Sequence, residues 1–214
     1  MDRFSTTRDG LRFFGRVSAS VSHEIKNVFA VINESAGLID DFTLMAEKGM
    51  PIQPERLKKA AGSILNQIRR GDAIIKNMNA FAHSIDEDVR EVDLAELVGL
   101  TVALATRMAD MKQVRLTLGD REPATLSANP FDLMRLLHSS IAAALDALAP
   151  GDTLAAGVKP APDGACFTLA ASGKAAPAVD GGALVAMAGD MGLAAEVGEA
   201  DGALTLRVAA PQAG

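Results

Sequence analysis

The sequence predicts an α+β protein: a long helical hairpin that pairs with a second copy into a four-helix bundle, followed by a layer of helices on a small sheet. Three observations predict it. Phe14, Ser18, Val21, Ile25, Val28, Ile32, Ser35, Ile39 and Phe42 follow an alternating four-and-three spacing, which draws one continuous stripe along a helix. Leu57, Ala61, Ile64, Ile68, Gly71, Ile75, Met78, Ala82 and Ile85 repeat the pattern, and Gly49, Pro51 and Pro54 lie between the two runs. Beyond the acidic stretch Asp86-Glu87-Asp88-Val89-Arg90-Glu91 the apolar runs shorten and strand-like alternation begins.

The first helix opens near Thr6 and Asp9, which have capping-box spacing, and Pro54 suits the first turn of the second helix. Helices of about 30 residues or more are long for a small globular domain. A single hairpin with such seams leaves apolar surface uncovered, so a homodimer is the expected remedy. The acidic stretch reads as a linker, which gives a hairpin domain over residues 1–90 and a second domain over 91–214.

In the second domain Asp93 caps a helix running to Met111, with Leu94, Leu97, Val98, Val102, Ala105 and Met108 on one face. Val114 to Leu118 alternates as a strand. Asn129 and Pro130 announce a further helix through Leu133, Leu136, Leu137, Ile141 and Leu145, stopped by Pro150-Gly151. Strand candidates lie at Ala124 to Ser127, Thr153 to Val158, Cys166 to Ala170 and Ala203 to Val208, with a last helix from Gly182 to about Ala188. Helices mixed with short, hairpin-connected strands place the helices on one face of the sheet.

Composition narrows the classes. With 49% hydrophobic residues in 214, the chain has enough apolar material for real cores. A single cysteine, Cys166, excludes an internal disulfide. No apolar run reaches the length of a membrane span, and the polar, mixed-charge first residues do not form a secretory leader, so a cytoplasmic, soluble protein with no membrane association is expected. Residues 1–90 carry 13 basic and 12 acidic residues and the remainder 8 and 15, so the halves stand at +1 and −7. With no basic field and neither Trp nor Tyr to stack on bases, nucleic acid is not an expected partner. Lys58-Lys59 and Arg69-Arg70 read as a solvated helix face.

The chemistry concentrates at Ser22-His23-Glu24-Ile25-Lys26-Asn27. His23 lies two residues from both Val21 and Ile25, about 200° of helix rotation, and so faces away from the stripe and toward water. An exposed imidazole beside a carboxylate, with a carboxamide one turn on, is suited to nucleophilic work at a ring nitrogen. His83 and His138 have no partners at metal-ligand spacing and read as structural. Met45, Met78, Met108, Met134, Met187 and Met191 fall mostly at apolar helix positions and read as core filler.

On these residues the chain resembles the transmitter region of two-component sensor histidine kinases, a dimerisation and histidine-phosphotransfer hairpin followed by an ATP-binding α/β sandwich. Residues 22–27 look like the phosphoacceptor motif, Arg70 to Ala82 like the matching second helix, and Val92-Asp93-Leu94 like the entry to the ATP-binding domain. Val28 stands where the family has proline, which lets the helix keep that hydrogen bond. The resemblance implies that His23 accepts the phosphoryl group, that Glu24 takes a proton from its ring, and that Asn27, in a Glu-x-x-Asn pattern, positions a water against a receiver's aspartyl phosphate.

The ATP-binding half departs from the family. Aligned on Leu133-x-Arg135-Leu136-Leu137, its paired asparagines fall on Ser139 and Ala143, and a methyl group offers nothing to a cation that demands oxygen ligands. The adenine-reading carboxylate falls within Ala171-Ser172-Gly173-Lys174-Ala175, where no acid stands. Only a short connection replaces the glycine-rich lid, and Gly181-Gly182 is explained by helix-start geometry alone.

The function expected from this is a histidine phosphotransferase of a two-component phosphorelay, relaying phosphoryl groups between receiver-domain aspartates through His23 without ATP. It needs no cofactor of its own, the Mg²⁺ for transfer sitting on the partner receiver domain. Response-regulator receiver domains are the expected partners, and an upstream hybrid histidine kinase is a candidate donor. With few residues ahead of the first helix, any signal is expected to arrive through a partner. Three alternatives remain: a phosphatase of a phosphorylated response regulator, a divergent sensor kinase, and a non-catalytic dimer that sequesters a regulator.

Overall fold

The computed structural model describes residues 3–86, 88–173 and 175–209. The chain is divided into two compact units, Ser18–Asn79 and the combination of Met1–Val17 with Ala80–Gly214. Two helices run through both: α1, Arg3–Glu47, and α2, Pro54–His83. Among the described residues no helix is long and apolar enough to cross a membrane.

The Ser18–Asn79 unit is the hairpin itself. All nine residues of the first apolar stripe are at least half-covered, Val28 and Ser35 the most deeply. The second stripe behaves differently within this unit, where its two heptad columns separate. Leu57, Ile64, Gly71 and Met78 are covered, whereas Ala61, Ile68 and Ile75 are exposed, and Ala60, Ser63, Gln67 and Ile74 complete the inward face. In the single chain one column of this stripe packs on the hairpin and the other is left to solvent. Ser35 donates its hydroxyl to Ser63 Oγ at 3.0 Å across the hairpin, which explains a serine on an apolar seam.

Gly49 ends α1. At φ +81° it adopts the left-handed conformation, and the amides of Gly49 and Met50 return to the carbonyls of Ala46 and Met45 at 2.9 and 3.1 Å. Pro54 opens α2, where its missing N–H costs no helical bond. The capping box expected at Thr6 and Asp9 does not start α1. The helix is already formed at Arg3, and Asp9 instead pairs with Arg12 at 3.1 Å on the exposed surface.

The other unit is built on two sheets. β1, Arg90–Asp93, pairs antiparallel with β3, Thr125–Ala128, setting Val92 opposite Leu126. The end of the expected acidic linker is thus a strand; only Val92 of its four residues is buried, too little apolar signal to announce it. The larger sheet has the order β2 (Arg115–Arg121), β4 (Thr153–Ala161), β5 (Gly164–Ala171), β7 (Ala203–Ala209), β6 (Ala194–Ala200). β2 and β4 are parallel and the other pairs antiparallel. The edge strand β6 was not expected from sequence, because its Ala, Glu and Gly residues carry little strand propensity.

Three helices back this sheet: α3 (Leu94–Met111), α4 (Pro130–Asp146) and α5 (Gly181–Asp190). The core lies between the layers, where Leu154, Ala156, Val158, Phe167, Leu169, Leu206 and Val208 meet Val98, Ala105, Leu133, Leu137 and Ile141. Asp93 caps α3 by accepting from Ala95 N at 2.7 Å, and Asn129 caps α4 by accepting from Asp132 N at 3.0 Å. α4 ends at Asp146, earlier than the expected stop at Pro150-Gly151, and Gly151 serves the following turn at φ +92°.

The first turns of α1 and the last turn of α2 belong to this unit because aromatic rings hold them there. The Phe13 ring lies 5.4 Å from both Phe81 and Phe131 and 5.2 Å from His138, and Phe14 stacks on Phe81 at 5.4 Å. Phe13 and Phe81 are essentially inaccessible to water. Phe131 and His138 belong to α4, so a local aromatic core ties both helix ends to it.

Candidate functional site

Within the hairpin unit the residues of the 22–27 segment divide cleanly by face. Ser22, His23, Lys26 and Asn27 are exposed, Glu24 and Ile25 are half-covered, and Val28 is buried. His23 therefore projects into water as its position off the stripe requires. Among the described residues none hydrogen-bonds its ring, and the residue as a whole is exposed. Asn27 lies one turn further along α1 and is likewise exposed, which leaves its carboxamide available to a bound partner or water.

Glu24 turns the other way. Its side chain is only 12% exposed, and one carboxylate oxygen lies 3.7 Å from Nη2 of Arg70 on α2. The carboxylate beside the candidate nucleophile is thus anchored across the hairpin, which fixes its direction relative to the helix surface. Close approach of the two helices makes this possible. A Cβ placed on Gly71 would just touch Val28 Cγ1 at 3.4 Å, so the helices approach closely here and leave room for little beyond a methyl group. Val28, where a proline would break the ladder, keeps α1 continuous through it.

Arg70 is the residue that sequence reasoning missed. As half of a basic pair it read as solvated surface, and its neighbour Arg69 does reach only Asn66 at 3.4 Å on an exposed face. The signal lies in register: with Gly49 and Pro54 fixing the turn, Gly71 falls opposite Val28 and Arg70 beside Glu24.

The two remaining histidines differ from His23. His83, in the last turn of α2, holds Asp86 Oδ2 through Nδ1 at 2.7 Å on the open surface. His138 is packed against Phe13, and burial, with the Arg16 guanidinium adding to it, lowers its pKa from 6.5 to about 4.

In the other unit, Ser139 and Ala143 occupy one face of α4 and both are half-covered. Asp180 caps α5, and its carboxylate accepts from the amides of Gly182 and Ala183 at 3.0 and 3.4 Å. The amides at this helix start already carry an anionic partner from the chain itself, so the Gly181-Gly182 pair acts as a helix start. Gly173 turns at φ +70° just after β5, and the connection from there to α5 is short.

No protein-family profile and no curated protein matches the chain. Among solved structures it is similar to the cytoplasmic segment of the histidine kinase QseC, at 18% identity and a TM-score of 0.45, over 67% of this chain and 93% of that one. It is similar to a bacterial phosphotransferase at 14% identity and a TM-score of 0.45, over 91% and 95% of the two chains. A third similar structure is the histidine kinase ThkA in complex with the response regulator TrrA, at 18% identity and a TM-score of 0.44, over 93% of this chain and 62% of that one.

Proposed function

We propose that the chain is a histidine phosphotransferase of a two-component phosphorelay, acting as a homodimer on response-regulator receiver domains. The observation that carries the reading is the split orientation of the motif: His23 is open to solvent while Glu24, its neighbour, is turned in and held by Arg70. A phosphoryl donor that is itself a protein can reach such an imidazole without rearrangement of the hairpin.

In the forward step an unprotonated ring nitrogen of His23 attacks the phosphorus of a receiver's aspartyl phosphate in line with the carboxylate oxygen. The P–N bond forms, the P–O bond breaks, and the aspartate leaves as a carboxylate. The other ring nitrogen gives up its proton as the phosphoimidazole is neutralised, and the adjacent Glu24 is the carboxylate assigned to that proton. Attack by a second receiver's carboxylate reverses the chemistry. Mg²⁺ on the receiver would spread the phosphoryl charge during transfer.

The exposed column of the α2 stripe supports the dimer. Ile68 and Ile75 stand 46% and 52% exposed, with Leu65 at 54% beside them, an uncovered apolar column that a second hairpin would bury. A second reading rests on Asn27, whose exposed carboxamide next to His23 suits it to orient a water for hydrolysis of the receiver's phosphate.

The deciding experiment offers the purified chain either radiolabelled ATP or a radiolabelled phospho-receiver. Label on His23 from the receiver, absent from ATP and lost in His23→Ala, is the expected result. Label from ATP would make the chain a kinase. Receiver phosphate lost without a labelled intermediate, and preserved by Asn27→Ala, would make it a phosphatase. Regulator binding and signalling that survive His23→Ala would reduce it to a sequestering dimer.

A further inference from the structure

The unit of Met1–Val17 with Ala80–Gly214 holds a cavity of about 320 Å³ to which α1, α4 and α5 all contribute. Its polar wall is Arg12 and Arg16 from α1 with Arg135 and Ser139 from α4; its apolar wall is Ala183, Ala186 and Met187 from α5. We propose that it is a binding site for a compact organic phosphate, a phosphomonoester carrying a small apolar body.

Three guanidiniums meeting at one cavity from two helices are an unusual concentration in a unit whose sequence beyond residue 90 is acidic at −7, from 8 basic and 15 acidic residues. Arg135 is the fixed point. Its side chain is 6% exposed, with Nη2 3.6 Å from Asp132 Oδ1 one turn earlier on α4. A guanidinium stays charged at any working pH, so the inner wall keeps a permanent cation. Ser139 follows one turn on and adds a hydroxyl that can donate to a phosphate oxygen.

Arg12 and Arg16 lie one turn apart on α1 and close the opposite side. Arg12 is engaged with Asp9 at 3.1 Å, but both side chains are more than half exposed and such a pair opens easily. Arg16 is exposed and is not engaged in an ion pair among the described residues. Planar forks from two directions match the tetrahedral oxygens of a phosphate better than point charges would.

The negative groups at the cavity are Asp9, already turned to Arg12, and the exposed Asp190 at the end of α5, with Asp132 beside Arg135 behind the inner wall. They lower the net charge and set a limit on the ligand: one phosphate, not a polyphosphate. The volume sets the same limit, since about 320 Å³ is at the small end of ligand pockets. Ala183, Ala186 and Met187 supply an apolar wall for a ring or short hydrocarbon, which inorganic phosphate alone would leave unused.

Calorimetric titration of the purified full chain with phenyl phosphate tests this, with inorganic phosphate as the second probe. Saturable binding of phenyl phosphate, tighter than that of inorganic phosphate, is expected. Arg16→Gln should weaken it about tenfold, the loss of one charge-assisted contact, with partial recovery in Arg16→Lys. Ala186→Glu, an exposed position where the new carboxylate would stand against the phosphate, should abolish it. His23→Ala should leave it unchanged, so the outcome is independent of the phosphotransfer reading. Absence of saturable binding, equal affinity for the two probes, or affinity unaltered by Arg16→Gln and Ala186→Glu would each overturn the proposal.

Discussion

Glu24 and Arg70 face each other across the hairpin at 3.7 Å, the carboxylate nearly covered and the guanidinium half open to water. A partly exposed pair of this kind contributes at most about 1 kcal/mol to stability, so its consequence is positional. Arg70→Gln should leave the unfolding midpoint nearly unchanged while slowing label transfer to His23 by about tenfold, because the carboxylate loses its anchor. Arg70→Lys should recover part of the rate. A variant that transfers at the original rate would detach Glu24 orientation from the chemistry.

Asn27 presents its carboxamide one turn from His23 and is exposed. Asn27→Ala removes the group able to orient a water but leaves the imidazole in place, so decay of receiver phosphate should slow by roughly 10²-fold while formation of the phosphohistidine changes little. Rates measured on the same phospho-receiver separate the two. Equal losses in both would mean that Asn27 serves binding and not hydrolysis.

Ile68 and Ile75 belong to the column of the α2 stripe that the hairpin leaves uncovered. A lysine at either position would bring a charge into the seam of a four-helix bundle while costing the isolated hairpin little, since both positions are exposed in the single chain. Sedimentation equilibrium should find a dimer for the unaltered chain and a monomer for the Ile68→Lys, Ile75→Lys double variant. A monomer for both would leave the exposed column without a purpose in self-association.

Phe13 and Phe81 are buried to 1% and 0% exposure in the aromatic cluster that ties the helix ends to α4. Truncating either to alanine empties a ring-sized volume and forfeits an edge-to-face contact, a loss of about 3–5 kcal/mol by denaturant unfolding. A cost under about 1 kcal/mol would show that the cluster collapses around the gap.

Much of this was readable from the order of residues. The first stripe announced α1 and its buried centre at Val28 and Ser35, but near the helix start it fell one residue off, since the most deeply buried side chains of α1 are Phe13 and Val17 and not Phe14 and Ser18. Asp93 and Asn129 announced the starts of α3 and α4 through side chains that accept backbone amides, a purely local device. What escaped was set by partners distant in sequence. β1 and β6 are strands because of the neighbours they pair with, since Arg90–Asp93 and Ala194–Ala200 carry too few β-branched residues to declare themselves. In the site the same division holds: His23 was visible from its place off the stripe, whereas Arg70 became part of it only through the register of two antiparallel helices. The second stripe named the apolar residues of α2, and its split into covered and exposed columns cannot be read from one strip of sequence.

His138 makes the fold pH-dependent in a direction that can be worked out. Its pKa falls from 6.5 to about 4 because burial against Phe13 disfavours the charged ring and the Arg16 cation adds to the penalty. Between those values the unfolded chain binds a proton that the folded chain refuses, so this contribution is fully present above pH 6.5 and is lost as pH falls toward 4. The loss amounts to about 3 kcal/mol at its limit. Asp132, one and a half turns earlier on α4, works the other way: burial raises its pKa despite the Arg135 charge, so it gains stability for the fold as pH falls through its folded value. The wild-type profile is therefore a partial cancellation, and the clean measurement is a difference. Urea unfolding of the chain and of His138→Leu, at pH 7 and at pH 4.5, should show the wild type losing more stability than the variant on acidification. Parallel profiles would mean that the ring is hydrated enough in the folded state to accept its proton.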